Sequence, residues 1–168
     1  LSSHLKHDEG VYTIDFDDLE EQLKQASMLL FCSPHNPVGR VWSEAELIRI
    51  SNLCTKYNVR IVSDEIHSDI VLSGHYHHVF SKIHEGAIVL HSASKTFNLA
   101  GLQTAVIIMP SLNDRSIYNE YLEYLGLHTL NALGPVASEL AFTKGETWLK
   151  EFLDVIESNH HFLKRRFE

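Results

Sequence analysis

The hydrophobic and polar positions of the first two thirds of the chain predict four strands. Residues 28–32 form a continuous apolar run of strand length, which is typical of a strand buried on both faces. Further apolar runs at 59–62, 83–90 and 104–109 predict the other three strands, and residues 11–14 suggest a short extended piece. Each long run ends in polar or turn-forming residues, so the strands are expected to be short and separate.

Helical periodicity is found before, between and after these strands. Asp15 can cap a helix through about residue 25, and Ser43 with Glu46 forms a capping box for a helix to about residue 57. Residues 113–166 are helical in pattern, with interruptions near 126–135 and near 145. The apolar residues expected to face inward from the first two helices are Phe16, Leu19, Leu23, Leu47, Ile50, Leu53 and Cys54.

The order of these elements predicts an α/β fold with a mostly parallel, mixed sheet in a three-layer α/β/α arrangement. In such sheets, ligands bind beyond the carboxyl ends of the strands. Asn36, Asp64 and Lys95 each follow a predicted strand. We therefore expect all three to project from one edge of the sheet.

Composition and charge narrow the class of protein. The 168 residues are 44% apolar and 21% charged, which is typical of one globular domain. A net charge of −8 without a basic run argues against a nucleic-acid partner, and no apolar run has the length of a membrane span. Cys32 and Cys54 lie in apolar or helical patterns, so we expect free thiols and a cytoplasmic protein. The chain starts at Leu1 and stops within a helical pattern, so we expect a segment of a longer protein.

Lys95 is the first candidate for chemistry. It follows the apolar run at 87–90 within Ser92-Ala93-Ser94-Lys95-Thr96, a place where a lysine can carry pyridoxal 5'-phosphate. The alternative is a solvated lysine in a polar loop. A cofactor-bearing lysine needs a lowered pKa, and because Lys95 follows an apolar strand we expect it to be partly buried.

Other strand-end residues have the side chains that this cofactor needs. A carboxylate such as Asp64 can keep the cofactor's ring nitrogen protonated, and the amide of Asn36 can donate to its phenolic oxygen. Ser92 and Ser94 can donate hydrogen bonds to its phosphate. The alternatives are ordinary turn and cap roles for each residue.

Three motifs together resemble fold-type I pyridoxal-phosphate enzymes, the class I/II aminotransferase family. The motifs are Asn36-Pro37-x-Gly39, Asp64-Glu65-Ile66-His67 and Ser92-x-Ser94-Lys95-Thr96-Phe97-Asn98. The resemblance implies that Asn36, Asp64, Lys95 and Ser92 contact the phenolic oxygen, ring nitrogen, aldehyde carbon and phosphate respectively, and that the Asn36–Pro37 bond is cis. It also implies that residues 1–168 are part of the large, cofactor-binding domain of an aspartate aminotransferase-like fold, without its N-terminal part and its C-terminal small domain.

Two positions depart from the aspartate-type aminotransferases. His67 stands where those enzymes usually have tyrosine beside the cofactor, and Gln103 stands where they have a phosphate-binding arginine. The motifs around Asp64 and Lys95 instead resemble the cystathionine β-lyase branch typified by the MalY and PatB proteins. This implies a carbon–sulfur β-lyase acting on an amino acid such as cystathionine or another cysteine S-conjugate. The alternatives are an aminotransferase and a non-catalytic cofactor-sensing module of a transcription regulator.

The resemblance also implies features beyond the chain. Enzymes of this family build each active site across a homodimer, and the expected remainder supplies a phosphate loop, a stacking aromatic residue and a carboxylate-binding arginine. We therefore expect the isolated 168-residue segment to be inactive. A zinc pair at His75-x-His77 on a strand is a further alternative, but no third ligand is evident and we assign no metal.

Overall fold

The computed structural model describes residues 1–127 and 129–167. These residues divide into two compact units. The first unit contains residues 1–65, 77–90 and 107–111. The second contains the remaining described residues, beginning with 66–76 and 91–106.

A four-stranded sheet forms the centre of the α/β fold, in the order β3-β4-β5-β6. The strands are β3 (Met28–Cys32), β4 (Arg60–Asp64), β5 (Ile88–His91) and β6 (Val106–Ile108). Strand β4 pairs in parallel with both β3 and β5. The predicted parallel crossovers between these three strands are therefore confirmed.

Two helices and a hairpin accompany these strands in the first unit. Helix α1 (Phe16–Leu23) is capped by the Asp15 carboxylate, and α2 (Glu44–Tyr57) begins with the predicted capping box. Strands β1 (Leu5–Asp8) and β2 (Val11–Ile14) pair antiparallel. The core of this unit consists of buried apolar side chains: Leu19, Leu23, Trp42, Leu47, Ile50, Cys54, Val59, Ile61, Phe80 and Ala87.

Strand β3 corrects the expectation of burial on both faces. Leu29 and Phe31 pack against the core, whereas Met28 is 47% exposed and Leu30 is 76% exposed. Alternate residues of a strand point to opposite faces. The α1–α2 core covers one face of β3, and the residues that point to the other face remain accessible in the described chain.

Strand β5 starts five residues later than the apolar pattern predicted. Phe80–Lys82 form a short 3₁₀ helix, after which the backbone amides of His84 and Ala87 bond to Phe80 and His84. These local hydrogen bonds use donors that a strand would direct to a neighbouring strand. The prediction from hydrophobicity alone therefore placed the amino end of this strand too early in the chain.

The second unit is mainly helical. It contains α3 (Ala93–Thr96), a 3₁₀ turn at Ala100–Leu102, α4 (Leu112–Tyr124), α5 (Leu133–Lys144) and α6 (Glu146–Phe167). The helical pattern expected over 113–166 is confirmed in the described residues, with breaks after Tyr124 and at Gly145. In the parts of the chain that the structure describes, no helix is both long and apolar enough to cross a membrane.

Candidate functional site

The loop that carries Asn36 is closed on itself directly after β3. The backbone amide of His35 donates to the carbonyl of Arg40 at 2.7 Å, and the amide of Gly39 donates to the carbonyl of His35 at 2.8 Å. Gly39 has φ = +70°, a backbone conformation that favours glycine. The Asn36–Pro37 peptide bond is cis, as the motif implied, and Ser33–Pro34 is also cis.

Side chains fix this loop to the core of the first unit. The indole Nε1 of Trp42, which is 1% exposed, donates to the carbonyl of Cys32 at 3.0 Å. The Arg40 guanidinium lies over the Trp42 ring and donates to Glu46 Oε1 at 3.0 Å. Asn36 itself is exposed, and its side chain has no hydrogen-bond partner among the described residues. The loop therefore presents a free amide from an anchored backbone.

Asp64 is half-buried and is the last residue of β4, which continues two residues beyond the predicted strand end at Val62. It lies opposite Cys32 in the β3–β4 register. Burial raises the pKa of the Cys32 thiol above its usual value, and the nearby negative charge of Asp64 raises it further, while the backbone N–H of Asn36 opposes both. The Cys32 thiol is thus close enough to both the Asn36 backbone and the Asp64 carboxylate for each to change its pKa.

Glu65 anchors the chain immediately beyond Asp64. Its side chain is buried, with Oε1 accepting the backbone amide of Phe80 at 2.9 Å and Oε2 lying 2.8 Å from Nε2 of His77. His77 therefore bonds to the carboxylate of Glu65. The segment that contains His75 and His77 forms no strand, so their predicted placement on a strand is wrong. Among the described residues, no group of three or more His, Cys, Asp or Glu side chains is arranged to hold a metal ion.

Lys95 lies in α3, a single helical turn that follows β5. Ser92 is the N-cap of this turn: its hydroxyl accepts from the Ser94 amide at 3.0 Å and donates to the carbonyl of Thr104 at 2.7 Å. Ala93 and Thr96 are buried, whereas Lys95 is exposed. The expectation of partial burial is therefore wrong in the described chain, because Ala93 and Thr96 form the inner face of the turn and Lys95 lies outside it.

The two candidate serines differ in whether their hydroxyl protons are already donated to another residue. A serine hydroxyl has one proton to donate, and that of Ser92 is already given to Thr104. The hydroxyl of Ser94 has no hydrogen-bond partner within the described residues. Ser94 is thus the readier donor for an anion, and Ser92 would have to release Thr104 first.

His67 and Gln103, the two positions that depart from aspartate-type aminotransferases, also belong to the second unit. His67 is half-buried, and its carbonyl accepts the amide of Ile70 at 2.9 Å. Its ring has no hydrogen-bond partner among the described residues. Gln103 is exposed at the end of the 3₁₀ turn, with φ = +47°.

A polar network beside Lys95 was missed by the sequence analysis. The buried hydroxyl of Thr96 donates to Asp69 Oδ2 at 2.9 Å. Nε2 of His91 lies 3.7 Å from the same oxygen, and Nδ1 of His91 is hydrogen-bonded to the Ser68 hydroxyl at 3.3 Å. Because Thr96 and Asp69 are 27 residues apart, no local spacing in the sequence indicates that they pair.

Comparison with known proteins gives one family. The model of the class I and II aminotransferases matches residues 4–166. Cystathionine β-lyase PatB of Bacillus subtilis is 42% identical over 165 residues, which cover 95% of this chain and 43% of that protein. This likeness confirms the resemblance to the PatB branch inferred from the motifs.

Solved structures agree with this assignment. Cystalysin from Treponema denticola, which contains a pyridoxal 5'-phosphate cofactor, has a TM-score of 0.95 at 36% identity. The pyridoxal-phosphate-bound C–S lyase from Staphylococcus hominis has a TM-score of 0.91 at 35% identity. Each alignment covers at least 98% of this chain but only 44% and 42% of the longer proteins.

The chain thus spans less than half the length of the relatives that it matches. Within that length, the α/β fold agrees with that of the solved relatives. The predicted aminotransferase-like fold is therefore confirmed, and the chain belongs to the class I and II aminotransferase family.

Proposed function

We propose that this chain is the cofactor-binding part of a longer pyridoxal 5'-phosphate-dependent carbon–sulfur β-lyase. The observation that carries the proposal is its 42% identity to a cystathionine β-lyase over 95% of its length. The substrate class is an amino acid with a sulfur substituent on its β-carbon, such as cystathionine or another cysteine S-conjugate. The products are a thiol, pyruvate and ammonia.

The side chains of the candidate residues fit this cofactor. Lys95 and Asn36 are exposed, and neither they nor the hydroxyl of Ser94 has a side-chain partner among the described residues. A free amine, a free amide donor and a free hydroxyl are the groups that an aldehyde, a phenolate and a phosphate require. Asp64 adds the carboxylate that a protonated ring nitrogen needs. This donor set supports the proposal.

In the proposed mechanism, the bound cofactor supplies an electron sink for the α-carbon of the substrate. Lys95 Nζ would hold the cofactor through its aldehyde carbon, and as a free amine it would remove the proton from the α-carbon of the substrate. Asp64 keeps a proton on the ring nitrogen, and Asn36 donates a hydrogen bond to the phenolic oxygen. The Cβ–S bond would break with its electron pair on sulfur while a Cα=Cβ bond forms, and the thiolate would take up the proton removed from the α-carbon. Water would then hydrolyse the remaining enamine to pyruvate and ammonia.

The hydrogen bonds of the two serine hydroxyls and the neutral side chain of Gln103 indicate how the phosphate is bound. Ser94 donates its free hydroxyl, and Ser92 contributes when it exchanges its bond to Thr104. Gln103 is neutral and cannot form the bidentate charged pair of an arginine. We place His67 beside the cofactor because it occupies the position of the tyrosine in aspartate-type enzymes.

The complete protein is proposed to contain more than this chain. Residues 1–168 correspond to part of the large domain, and the remaining domains of the complete protein complete the active site in a homodimer. We therefore expect the isolated segment to release no pyruvate from cystathionine. The free thiols of Cys32 and Cys54 support a cytoplasmic location.

The direct test is product analysis with the full-length protein, pyridoxal 5'-phosphate and L-cystathionine. A β-lyase releases pyruvate, ammonia and a thiol in equal amounts, and Lys95→Ala lowers the rate by about 10²–10⁴-fold. The exposed lysine substitution Lys150→Ala is the matched control and should leave the rate unchanged.

The same assay distinguishes the alternatives. Lys95 and Asp64 also suit an aminotransferase, in which the amino group moves to a keto acid instead of being released as ammonia. Amino transfer to an added keto acid without thiol release would favour that enzyme. Cofactor binding with neither reaction would favour a non-catalytic sensor and contradict the lyase.

A further inference from the structure

We propose that Asp69 is a positioning residue for Lys95 and that it acts through the hydroxyl of Thr96. This inference rests on the proposed role of Lys95 as the cofactor-bearing lysine. Neither the motifs nor the family comparison assigns a role to Asp69. All the residues concerned belong to the second unit.

The helical turn that carries Lys95 is too short to be stable by itself. Helix α3 has four residues, Ala93–Thr96. An isolated helical turn is unfavourable because fixing its backbone costs more than its first hydrogen bond returns. The direction in which Lys95 points therefore depends on contacts made by its neighbours.

Those contacts hold both ends of the turn. At the amino end, the Ser92 hydroxyl bridges the Ser94 amide and the Thr104 carbonyl. At the carboxyl end, Thr96 is fully buried and its hydroxyl donates to Asp69 Oδ2 at 2.9 Å. The second contact is made by the residue directly after Lys95, so it is the closest polar restraint on the lysine backbone from that side.

The acceptor is itself restrained. Nε2 of His91 lies 3.7 Å from Asp69 Oδ2, and the His91 ring stacks on Phe142 with a centroid separation of 5.2 Å. The Ser68 hydroxyl holds the other ring nitrogen of His91. The oxygen of Asp69 that accepts from Thr96 therefore has a second neighbour, a ring that is packed in place.

The chemistry of the bond makes it hard to replace. A hydroxyl that donates to a carboxylate forms a charge-assisted hydrogen bond, which is stronger than one between neutral groups. Without this hydroxyl, the half-buried Asp69 carboxylate loses a donor and keeps the cost of its lost solvation. Removing the hydroxyl should therefore loosen the turn with little change in side-chain volume.

The test compares Thr96→Val with Thr96→Ser in the full-length protein. Valine keeps the shape of threonine and removes the hydroxyl, whereas serine keeps the hydroxyl. We expect Thr96→Val to slow covalent capture of pyridoxal 5'-phosphate by Lys95 about 10- to 100-fold, followed by visible absorbance, and Thr96→Ser to retain most of the wild-type rate. Asp69→Asn, which keeps an oxygen acceptor without the charge, should be intermediate.

A second readout needs no cofactor. In the apo protein, the amides of Phe97 and Leu99 donate to Ala93 and Ser94 across this turn. Thr96→Val should accelerate hydrogen exchange at both amides. The control is Thr143→Val, since Thr143 also donates its hydroxyl, to the Glu139 carbonyl in α5, and should change neither capture nor exchange.

The outcomes separate this inference from the proposed function. Wild-type capture at Lys95 together with unchanged capture and exchange in Thr96→Val would overturn the positioning role alone. Equal slowing by Thr96→Ser would also overturn it, because packing of the methyl group would then be the cause. Attachment of the cofactor to another lysine in the wild type would overturn the proposed function and this inference with it.

Discussion

The backbone amide of Ser33 donates a 2.9 Å hydrogen bond to the carbonyl oxygen of Asp64. This bond extends the pairing of β3 and β4 by one step beyond the Cys32–Asp64 pair. On the other side, the amide of Glu65 donates to the carbonyl of Leu90 at 2.9 Å. Asp64 is therefore held between two neighbouring strands at the point where its side chain leaves the sheet.

This fixed carboxylate gives the first prediction. Asp64→Asn should lower kcat/KM for β-elimination by about 10²–10³-fold, the range found when a preorganised polar group is removed from an active site. The reason is that a neutral amide no longer favours the protonated ring nitrogen. Steady-state kinetics of the full-length protein with L-cystathionine measure the effect.

The control for this substitution is Asp154→Asn at an exposed position of α6, which should leave kcat/KM unchanged. An Asp64→Asn protein with wild-type kcat/KM would show that the ring nitrogen needs no carboxylate at this position.

A close packing contact in the second unit gives the second prediction. A Cβ atom at Gly134 would lie 1.8 Å from Oγ1 of Thr104, whose carbonyl accepts the Ser92 hydroxyl. Gly134→Ala should therefore lower the free energy of unfolding by about 1–3 kcal/mol, measured by urea denaturation. Gly101→Ala is the matched control, because nothing lies within 4 Å of its Cβ position. Equal stability of the two variants would contradict this packing.

Helix α2 contains a matched pair of apolar residues for the third prediction. Leu47 is fully buried, while its neighbour Ile48 is 45% exposed. Leu47→Ala should cost about 2–5 kcal/mol of unfolding free energy because it leaves a cavity in the core. Ile48→Ala should cost about 0.5 kcal/mol or less. A larger loss for Ile48→Ala would mean that the helix presents a different face to the core.

The fourth prediction concerns alkaline pH. Burial raises the pKa of the fully buried Cys54 thiol from about 9 to about 11. At a pH between these two pKa values, the Cys54 thiol keeps its proton in the folded state and loses it in the unfolded state. The contribution of this thiol to the free energy of unfolding is therefore lost as the pH rises. Melting temperatures measured at pH 8 and pH 10.5 should fall more steeply in the wild type than in Cys54→Ala. An equal fall in both proteins would contradict burial of this thiol.

Local patterns sufficed to predict the strand ends that carry the candidate residues. Continuous apolar runs located β3 and β4. Asp64 lies at the carboxyl end of β4, and Lys95 follows β5 as expected, because chain order alone fixes these relations. The capping box at Ser43 and Glu46 also forms, since both partners lie within one helical turn.

Tertiary packing decided what the sequence could not. Leu30 is apolar yet 76% exposed, because hydrophobicity does not report which face of a strand the rest of the described chain covers. Lys95 is exposed because burial of Ala93 and Thr96 sets the orientation of α3. The Thr96 hydroxyl donates to Asp69, and His77 is hydrogen-bonded to Glu65. These partners are 27 and 12 residues apart in sequence, so no local spacing rule indicates them.

The central claim is that Lys95 carries the cofactor. The most direct measurement is borohydride reduction of the full-length protein loaded with pyridoxal 5'-phosphate, followed by peptide mapping by mass spectrometry. We expect one pyridoxyl group, attached to the peptide that contains Lys95, and its loss in Lys95→Ala. A pyridoxyl group on a different lysine of the wild-type protein, with none on Lys95, would contradict the account.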